Sequence, residues 1–187
     1  RALVRAHEAR FYRGLALPGP VLDVGCGDGH FASLTFERSI EVGIDPWGGP
    51  IRAAKQYGIY RTLVQGDAGK MPFPDGYFGS ALSNSVLEHI PHVDAVVAET
   101  ARVLKPGAPF VFCVPNQQFL DGLSVGRALK RLGLKGLAGS YERFFNRISR
   151  HQHCDPPEIW QPRLEQAGFR LERWWHYFPP RALHVVE

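Results

Sequence analysis

The chain has 187 residues, of which 44% are hydrophobic and 21% are charged, proportions that are typical of a single globular domain. This composition excludes a disordered chain, a collagen and a coiled coil, and no apolar run approaches the ~18 residues of a bilayer-spanning helix. The formal net charge is +4, but seven basic residues and one acidic residue fall within residues 122–150. No known nucleic-acid-binding motif accompanies that segment, so we expect no nucleic-acid partner.

The three cysteines, Cys26, Cys113 and Cys154, lie far apart in the sequence. An odd number cannot form a fully paired disulfide framework, which favours a reducing compartment. No signal peptide opens the sequence. We therefore expect a cytoplasmic protein, and its first residue, Arg1, suggests a fragment of a longer chain.

Predicted strands alternate with predicted helices along most of the chain. The helices are expected at residues 2–16, 30–37, 50–57, 94–104 and 156–167, and the strands at 21–24, 41–45, 62–65, 78–83, 110–114 and 169–177. Such alternation indicates βαβ units, a mostly parallel sheet and helices on both of its faces. Ligands bind at the carboxyl ends of such strands, where Asp23, Asp45, Asp67 and Asn84 are expected to gather.

A glycine-rich segment, Asp23-x-Gly25-x-Gly27-x-Gly29, follows the first predicted strand. Glycine permits a tight turn and a close approach of the backbone to a ligand, and the N-terminus of the next helix offers unpaired N–H groups. The dinucleotide fingerprint requires G-x-G-x-x-G, whereas the sixth position here is His30. The pattern therefore argues against NAD without excluding it, and a tight strand–helix connection is the structural alternative.

A carboxylate, Asp45, ends the second predicted strand about 20 residues after the glycine loop. A carboxylate at this position can accept hydrogen bonds from both hydroxyl groups of a ribose. The combination of Asp45 with Asp67 at the next strand end favours a nucleoside-binding site over a simple connection.

Six motifs at successive strand and helix ends are similar to those of class I S-adenosylmethionine-dependent methyltransferases. They are Val21–Gly29, Gly43–Asp45, Gln65–Ala68 with Met71–Phe73, Asp75–Phe78, Leu87–Ile90 and Arg102–Gly107. The chain resembles this family over about residues 20–177, especially its small-molecule branch, which includes the ubiquinone-biosynthesis enzymes. The resemblance implies a Rossmann-like, mostly parallel sheet, with S-adenosylmethionine as cofactor and S-adenosylhomocysteine as product.

The resemblance also implies a role for each cofactor-binding residue. Asp23, Gly25 and Gly27 would hold the methionine end, Asp45 the ribose, Asp67 and Ala68 the adenine, and Asn84 the methionine moiety. Cys26 lies inside the loop and is counted with these residues, as a small packing residue and not as a nucleophile.

His89, which follows the fourth predicted strand, is the first candidate for a catalytic base. The ubiquinone O-methyltransferases carry a Glu-x-x-Glu-His run here that binds a divalent metal. This chain keeps Glu88 and His89 but has Ser85 at the first carboxylate position, so we predict no metal. The alternative is that Glu88 and His89 only cap or pair with neighbouring backbone.

A second pair of candidates, His151 and His153, would share one face of an extended segment. A zinc site commonly needs a second pair of ligands, which the sequence does not supply. We predict that one of these histidines faces the substrate, and exposed loop histidines are the open alternative.

Residues 116–155 interrupt the alternation of strands and helices. Within them Val125, Ala128, Leu129 and Leu132 follow helical i, i+3, i+4, i+7 spacing, with basic residues on the other face. We predict a basic lid that selects an acidic or amphipathic acceptor, with peripheral membrane contact through 122–150 as a further role. A merely solvated helix is the alternative.

Together these features predict one domain over 1–187, with 116–155 as a lid-like insertion after the fifth strand. The predicted activity is methyl transfer from S-adenosylmethionine to a small-molecule or lipid-like acceptor, at oxygen. The alternatives are an NAD-binding oxidoreductase and a non-catalytic methyltransferase-like module at a membrane surface. Residues 181–187 are too short to complete the antiparallel strand pair of this family, so we expect a missing C-terminal piece.

Overall fold

A five-stranded, all-parallel β-sheet lies at the centre of the computed structural model, which describes residues 2–115 and 123–176. The strand order is β3-β2-β1-β4-β5. The strands are β1 (Val21–Val24), β2 (Ile40–Asp45), β3 (Tyr60–Gln65), β4 (Ser80–Asn84) and β5 (Phe110–Cys113). Leu22 of β1 pairs with Val42 on one side and Ala81 on the other, so β1 is the central strand.

Helices cover both faces of the sheet, as predicted. They are α1 (Ala2–Arg13), α2 (His30–Thr35), α3 (Gly48–Ala54), α4 (Val93–Val103), α5 (Ser124–Arg131), α6 (Lys135–Ser149) and α7 (Pro157–Gln166), with short 3-10 turns at Lys55–Tyr57 and Leu87–His89. One buried cluster contains Val97 of α4 and Leu164 of α7. The other contains Tyr12 of α1, Ala32 of α2 and Ile51 of α3. The two apolar layers confirm the predicted Rossmann-like architecture.

Five of the six predicted strands are present, but the sixth, at 169–177, is wrong over residues 169–176. These residues form no strand, and Tyr177 and residues 181–187 lie outside the described part of the chain. Phe169 and Leu171 are half-buried while Arg170 is exposed, which reproduces the period-two pattern of a strand. Instead of ladder hydrogen bonds, ring packing holds the segment, with Phe169 centred 5.6 Å from Phe110.

The basic segment forms a helical hairpin, of which the structure describes residues from 123 onward. The amphipathic helix predicted near 125–132 is α5, whereas the longer α6 was not predicted. Gly136 and Gly139 lower the helix propensity of α6, so the sequence pattern did not predict this helix. Leu123, Gly126 and Ala138 are buried, so small residues let the two helices approach closely.

The remaining predicted boundaries move by only a few residues, and α1 ends at Arg13 instead of residue 16. Among residues 2–115 and 123–176, no helix is long and apolar enough to cross a membrane.

Candidate cofactor and acceptor site

The glycine loop follows β1 and is anchored to the end of β2. The backbone N–H groups of Gly25 and Cys26 both donate to the carbonyl oxygen of Ile44, at 2.8 and 3.0 Å. Gly25, Gly27 and Gly29 have φ values of 78°, 54° and 74°, a left-handed conformation that disfavours residues with a Cβ. At Gly25 an added Cβ would also lie 2.3 Å from Cγ1 of Val86. The loop therefore needs glycine for conformation and for space.

Asp45, at the end of β2, is buried and joins two turns. Its Oδ2 accepts the N–H of Gly27 at 3.0 Å, and its Oδ1 accepts the N–H of Trp47 at 2.9 Å. The carboxylate therefore lies against the glycine loop, where the sequence analysis expects a ribose-binding group. Acceptor lone pairs remain on both oxygens for further hydrogen bonds.

Asp23, near the end of β1, lies in the protein interior with 4% of its surface exposed. The hydroxyl of Tyr60 donates to its Oδ2 at 2.6 Å. Burial raises the pKa of Asp23 to about 7, against the opposing effect of the Tyr60 hydrogen bond, and the nearby Asp45 charge raises the pKa further. The sequence did not predict the role of Tyr60, because no sequence signal shows that a tyrosine at the start of β3 will donate a hydrogen bond to an aspartate of β1.

The end of β3 lies beside Asp45, since the N–H of Gly66 donates to the Asp45 carbonyl oxygen at 3.0 Å. Asp67 follows directly, and its Oδ1 accepts the N–H of Gly69 at 2.8 Å. Ala68 is buried. The structure thus brings Asp67 and Ala68 to the same edge of the sheet as Asp45.

Helix α1 contributes a buried carboxylate, Glu8, to the end of β4. The Asn84 Nδ2 group donates to Glu8 Oε2 at 2.9 Å, and Ser85 Oγ donates to Glu8 Oε1 at 3.4 Å. The Tyr12 hydroxyl, one turn along α1, donates to the Ser83 carbonyl oxygen at 3.0 Å. Sequence reasoning missed Glu8, although it is the sole acidic residue of a basic helix.

Glu88 is a second buried carboxylate next to this group. Burial raises its pKa to about 8, a hydrogen bond to its own backbone opposes that rise, and Glu8 adds to it. Within the described residues, Oε2 of Glu88 and Oδ1 of Asn84 are buried without a hydrogen-bond partner. Two buried acceptor oxygens without partners indicate a site for a donor group.

His89 and His151 face each other across the 3-10 turn after β4, with ring centroids 5.2 Å apart. His89 Nδ1 lies 3.1 Å from the carbonyl oxygen of Arg150. Because a carbonyl can only accept, we assign the neutral ring's proton to Nδ1, which leaves a lone pair on Nε2. Burial, followed by the proximity of His89, lowers the pKa of His151 to about 4, so His151 is neutral at pH 7.

His153 lies apart from this pair and has a partner at each ring nitrogen. Its Nε2 lies 3.1 Å from the Ile90 carbonyl oxygen, and its Nδ1 lies 3.4 Å from Asp155 Oδ2. The backbone N–H groups of Gln152 and His153 donate to the Glu88 carbonyl oxygen at 2.6 and 3.1 Å. His153 thus helps to attach this segment to the turn after β4.

The side chains of Glu88, His89 and His151 could together hold a metal ion. One ligand atom from each lies within 4.8 Å of the others. The Glu88 carboxyl group would first have to lose its proton, because a carboxylate binds a metal only when deprotonated.

A cleft of about 930 Å³ opens above the ends of β2 and β4. Trp47, which follows Asp45, lines one part of it, and His89 and His151 line another. The remaining lining comes from residues 143–150, most of them in α6, and from Gln152. Part of the predicted lid therefore lines the same cleft as His89 and His151, whereas none of the predicted cofactor residues is among the residues that line it.

Residues 22–112 match the family described as a methyltransferase domain. A sterol 24-C-methyltransferase of Pneumocystis carinii is 30% identical over 71% of this chain and 40% of its own length. A ubiquinone biosynthesis O-methyltransferase of Hahella chejuensis is 34% identical over 54% of this chain and 46% of its own length. The chain therefore spans less than half the length of these relatives.

The fold also matches that of a solved S-adenosylmethionine-dependent methyltransferase of Thermotoga maritima. The TM-score is 0.67 at 20% identity, over 91% of this chain and 72% of the other. Methyltransferases of this kind use S-adenosylmethionine as cofactor and release S-adenosylhomocysteine. The sheet order, the glycine loop and the matched sequence agree, and the chain therefore contains a domain of the class I, S-adenosylmethionine-dependent methyltransferase family.

Proposed function

We propose that the protein transfers the methyl group of S-adenosylmethionine to an oxygen atom of a small-molecule or lipid-like acceptor. The observation that carries this proposal is the joining of Asp45 to the glycine loop through the N–H of Gly27. That contact holds a buried carboxylate against the glycine loop at one edge of a parallel sheet. The ubiquinone relative, an O-methyltransferase, supports oxygen, whereas the sterol relative is a C-methyltransferase.

The residues at this edge fit the charge and hydrogen-bonding groups of the cofactor. Asp23 and the unpaired Oδ1 of Asn84 are acceptors for the methionine ammonium group, and the open space beside Gly27 leaves room for close backbone approach. Asp45 accepts from the ribose, and Asp67 and Ala68 bind the adenine. When bound, S-adenosylmethionine supplies an electrophilic methyl group on a sulfonium, and the protein supplies position and surroundings.

His89 is the proposed proton acceptor for a hydroxyl group on the acceptor. Its Nδ1–H is held by the Arg150 carbonyl oxygen, so the lone pair of Nε2 remains for the proton. A base is most effective when its pKa lies near the working pH, and the lowered pKa of His151 makes it the weaker candidate. His151 instead packs against His89 and holds its ring in place.

Binding of S-adenosylhomocysteine, measured by calorimetry with NAD as the control, tests the cofactor assignment. We expect the protein to bind S-adenosylhomocysteine and not to bind NAD. Binding of NAD and not of S-adenosylhomocysteine would instead favour the oxidoreductase alternative, which the matched methyltransferases do not support. Binding without turnover on any acceptor would favour the non-catalytic module.

A comparison of His89→Ala with His153→Ala tests the proposed base once an acceptor is identified. His89→Ala should lower kcat about 10²–10⁴-fold, and His153→Ala should change kcat far less, because His153 contacts backbone and Asp155. Unchanged turnover in His89→Ala would show that His89 is not the base.

The turn between α5 and α6 supports the expected membrane contact. Leu132, Leu134 and Leu137 are 73%, 44% and 58% exposed, Arg131 precedes them and Lys135 lies between Leu134 and Leu137. Apolar side chains beside cations suit the surface of an anionic bilayer. We propose that this leucine turn, residues 131–137, docks peripherally on such a surface and gives access to a lipid-like acceptor.

Sedimentation with liposomes that contain phosphatidylglycerol at low salt tests this docking. The triple variant with Leu132, Leu134 and Leu137 changed to Ser should stay in the supernatant. Leu34→Ser is the matched control, because Leu34 is 55% exposed but lies in α2. Equal retention of the triple variant and the control would refute docking through this turn.

The proposed location is the cytoplasm. Within the described residues, Cys26, Cys113 and Cys154 form no disulfide, which agrees with a reducing compartment.

A further inference from the structure

Three arginines of the hairpin face the same cleft as the proposed base. Arg143 and Arg147 lie in α6 and Arg150 caps it, and all three line the cleft with His89. Their spacing of four and three residues places them on one side of the helix. Among the described residues that line the cleft none is Asp or Glu, so their ionisable groups are all potentially positive.

Within the described part of the chain, no carboxylate forms an ion pair with the three guanidinium groups. The acidic residue of α6, Glu142, lies 2.8 Å from Lys130 in an ion pair. Arg143 donates to the Ser140 hydroxyl at 3.1 Å. Across residues 2–115 and 123–176, Arg147 and Arg150 have no side-chain hydrogen bond or ion pair, and Arg143 has no ion pair.

Such an arrangement is unfavourable without a partner, since like charges three and four residues apart on a helix repel one another. Cations near a helix C-terminus are stabilised by the helix dipole. This applies to Arg147 and Arg150 but not to Arg143, which lies further from the C-terminal end of α6. An oxyanion in the cleft would offset the repulsion, because guanidinium groups bind carboxylate and phosphate through paired hydrogen bonds.

The position of Arg150 links the positively charged arginines to His89, the proposed base. Its carbonyl oxygen accepts the Nδ1–H of His89 at 3.1 Å, and its φ of 55° turns the chain at the end of α6. The helix end that carries the arginines therefore also orients the proposed base. His89 and the three arginines line one cleft, so one acceptor molecule bound there can contact both.

We propose that Arg143, Arg147 and Arg150 form an oxyanion subsite that holds a carboxylate or phosphate group of the acceptor while its hydroxyl group faces His89. The acceptor class is then a hydroxylated acid. The inference rests on the proposed function and narrows its acceptor. The leucine turn lies at the far end of α6 from this subsite, so membrane docking is a separate matter.

The test is calorimetric titration of the protein saturated with S-adenosylhomocysteine. The probes are 4-hydroxybenzoate, 4-hydroxyphenyl phosphate and, as the neutral match, 4-hydroxybenzamide. At least one anion should bind about tenfold or more tightly than the amide, as expected for a charge-assisted hydrogen bond, and its affinity should fall as salt rises. The anion that binds better identifies the carboxylate or the phosphate as the preferred group.

The double variant Arg143→Gln/Arg147→Gln should abolish the preference for the anion and leave S-adenosylhomocysteine binding unchanged. Arg38→Gln is the matched control, because Arg38 is exposed and does not line the cleft. Equal binding of all three probes, or a preference that survives the double variant, would overturn the subsite. Failure to bind S-adenosylhomocysteine would instead count against the proposed function, and the titrations would then be run on the free protein.

Discussion

Replacing Gly25 by alanine is the sharpest test of how the glycine loop is built. The new Cβ would lie 2.3, 2.8 and 3.0 Å from Cγ1, Cγ2 and Cβ of Val86, whereas carbon atoms in contact prefer about 3.5–4.0 Å. Gly25 also has a φ of 78°, which disfavours any residue with a Cβ. The substitution therefore meets both a conformational and a steric penalty.

The two penalties can be separated with a matched variant. Gly27 has a φ of 54°, but nothing lies within 4 Å of an added Cβ. Gly27→Ala should therefore lose only the conformational part, about 1–2 kcal/mol of unfolding free energy. Gly25→Ala should lose about 1–3 kcal/mol more, the usual range for overpacking.

A third variant checks the steric explanation directly. Val86→Ala removes both γ-carbons from beside Gly25, so Gly25→Ala/Val86→Ala should be more stable than the sum of the single changes predicts. We expect a coupling free energy of about 1–3 kcal/mol. Urea unfolding measures the stability of the parent and of all four variants, and calorimetry follows S-adenosylhomocysteine binding. Equal losses in Gly25→Ala and Gly27→Ala, or no coupling, would refute the reasoning.

Three further predictions follow from buried side chains. Asp45→Ala should weaken the binding of S-adenosylhomocysteine about ten- to a hundredfold in calorimetry, because it removes charge-assisted hydrogen bonds worth roughly 1.5–3 kcal/mol. An unchanged Kd would exclude Asp45 as the ribose ligand. The folded-state pKa of Asp23 is about 7 against an ordinary 3.8, so Asp23 makes unfolding easier as the pH rises from about 4 to about 7. Asp23→Asn should remove this fall of the unfolding free energy with pH and should raise the unfolding free energy at pH 8 by up to about 4 kcal/mol. It should also weaken cofactor binding. If urea unfolding gives the variant and the parent the same pH dependence, the prediction is wrong. Leu82→Ala, at a fully buried position of β4, should cost about 2–5 kcal/mol in the same assay, and a loss under 1 kcal/mol would show that the layer repacks.

The positions of most of the proposed cofactor residues could be predicted from the sequence, because their signals are local. The glycines take left-handed φ values, and Asp45 ends a strand that runs parallel to β1. Short-range backbone geometry and the rule that parallel strands end at one edge place these groups together. The prediction therefore needed no knowledge of distant contacts.

The buried partners of the proposed cofactor residues depended on contacts between residues far apart in the chain. Glu8 reaches Asn84 across 76 positions, and Tyr60 reaches Asp23 across 37. The false sixth strand has the same origin, since half-buried Phe169 and Leu171 imitate a strand while ring packing on Phe110 holds the segment.

The sequence by itself determined the parallel sheet, the glycine loop and the carboxylates at its edge, since these follow from periodicity and glycine's conformational freedom. Only the tertiary structure decided which groups meet in the cleft. The fold brings Arg150 to His89 across 61 positions and buries Glu8 and Glu88 close enough to raise the pKa of Glu88. Burial and charge act through space, so their effects on hydrogen bonding and protonation appear only once the chain is folded.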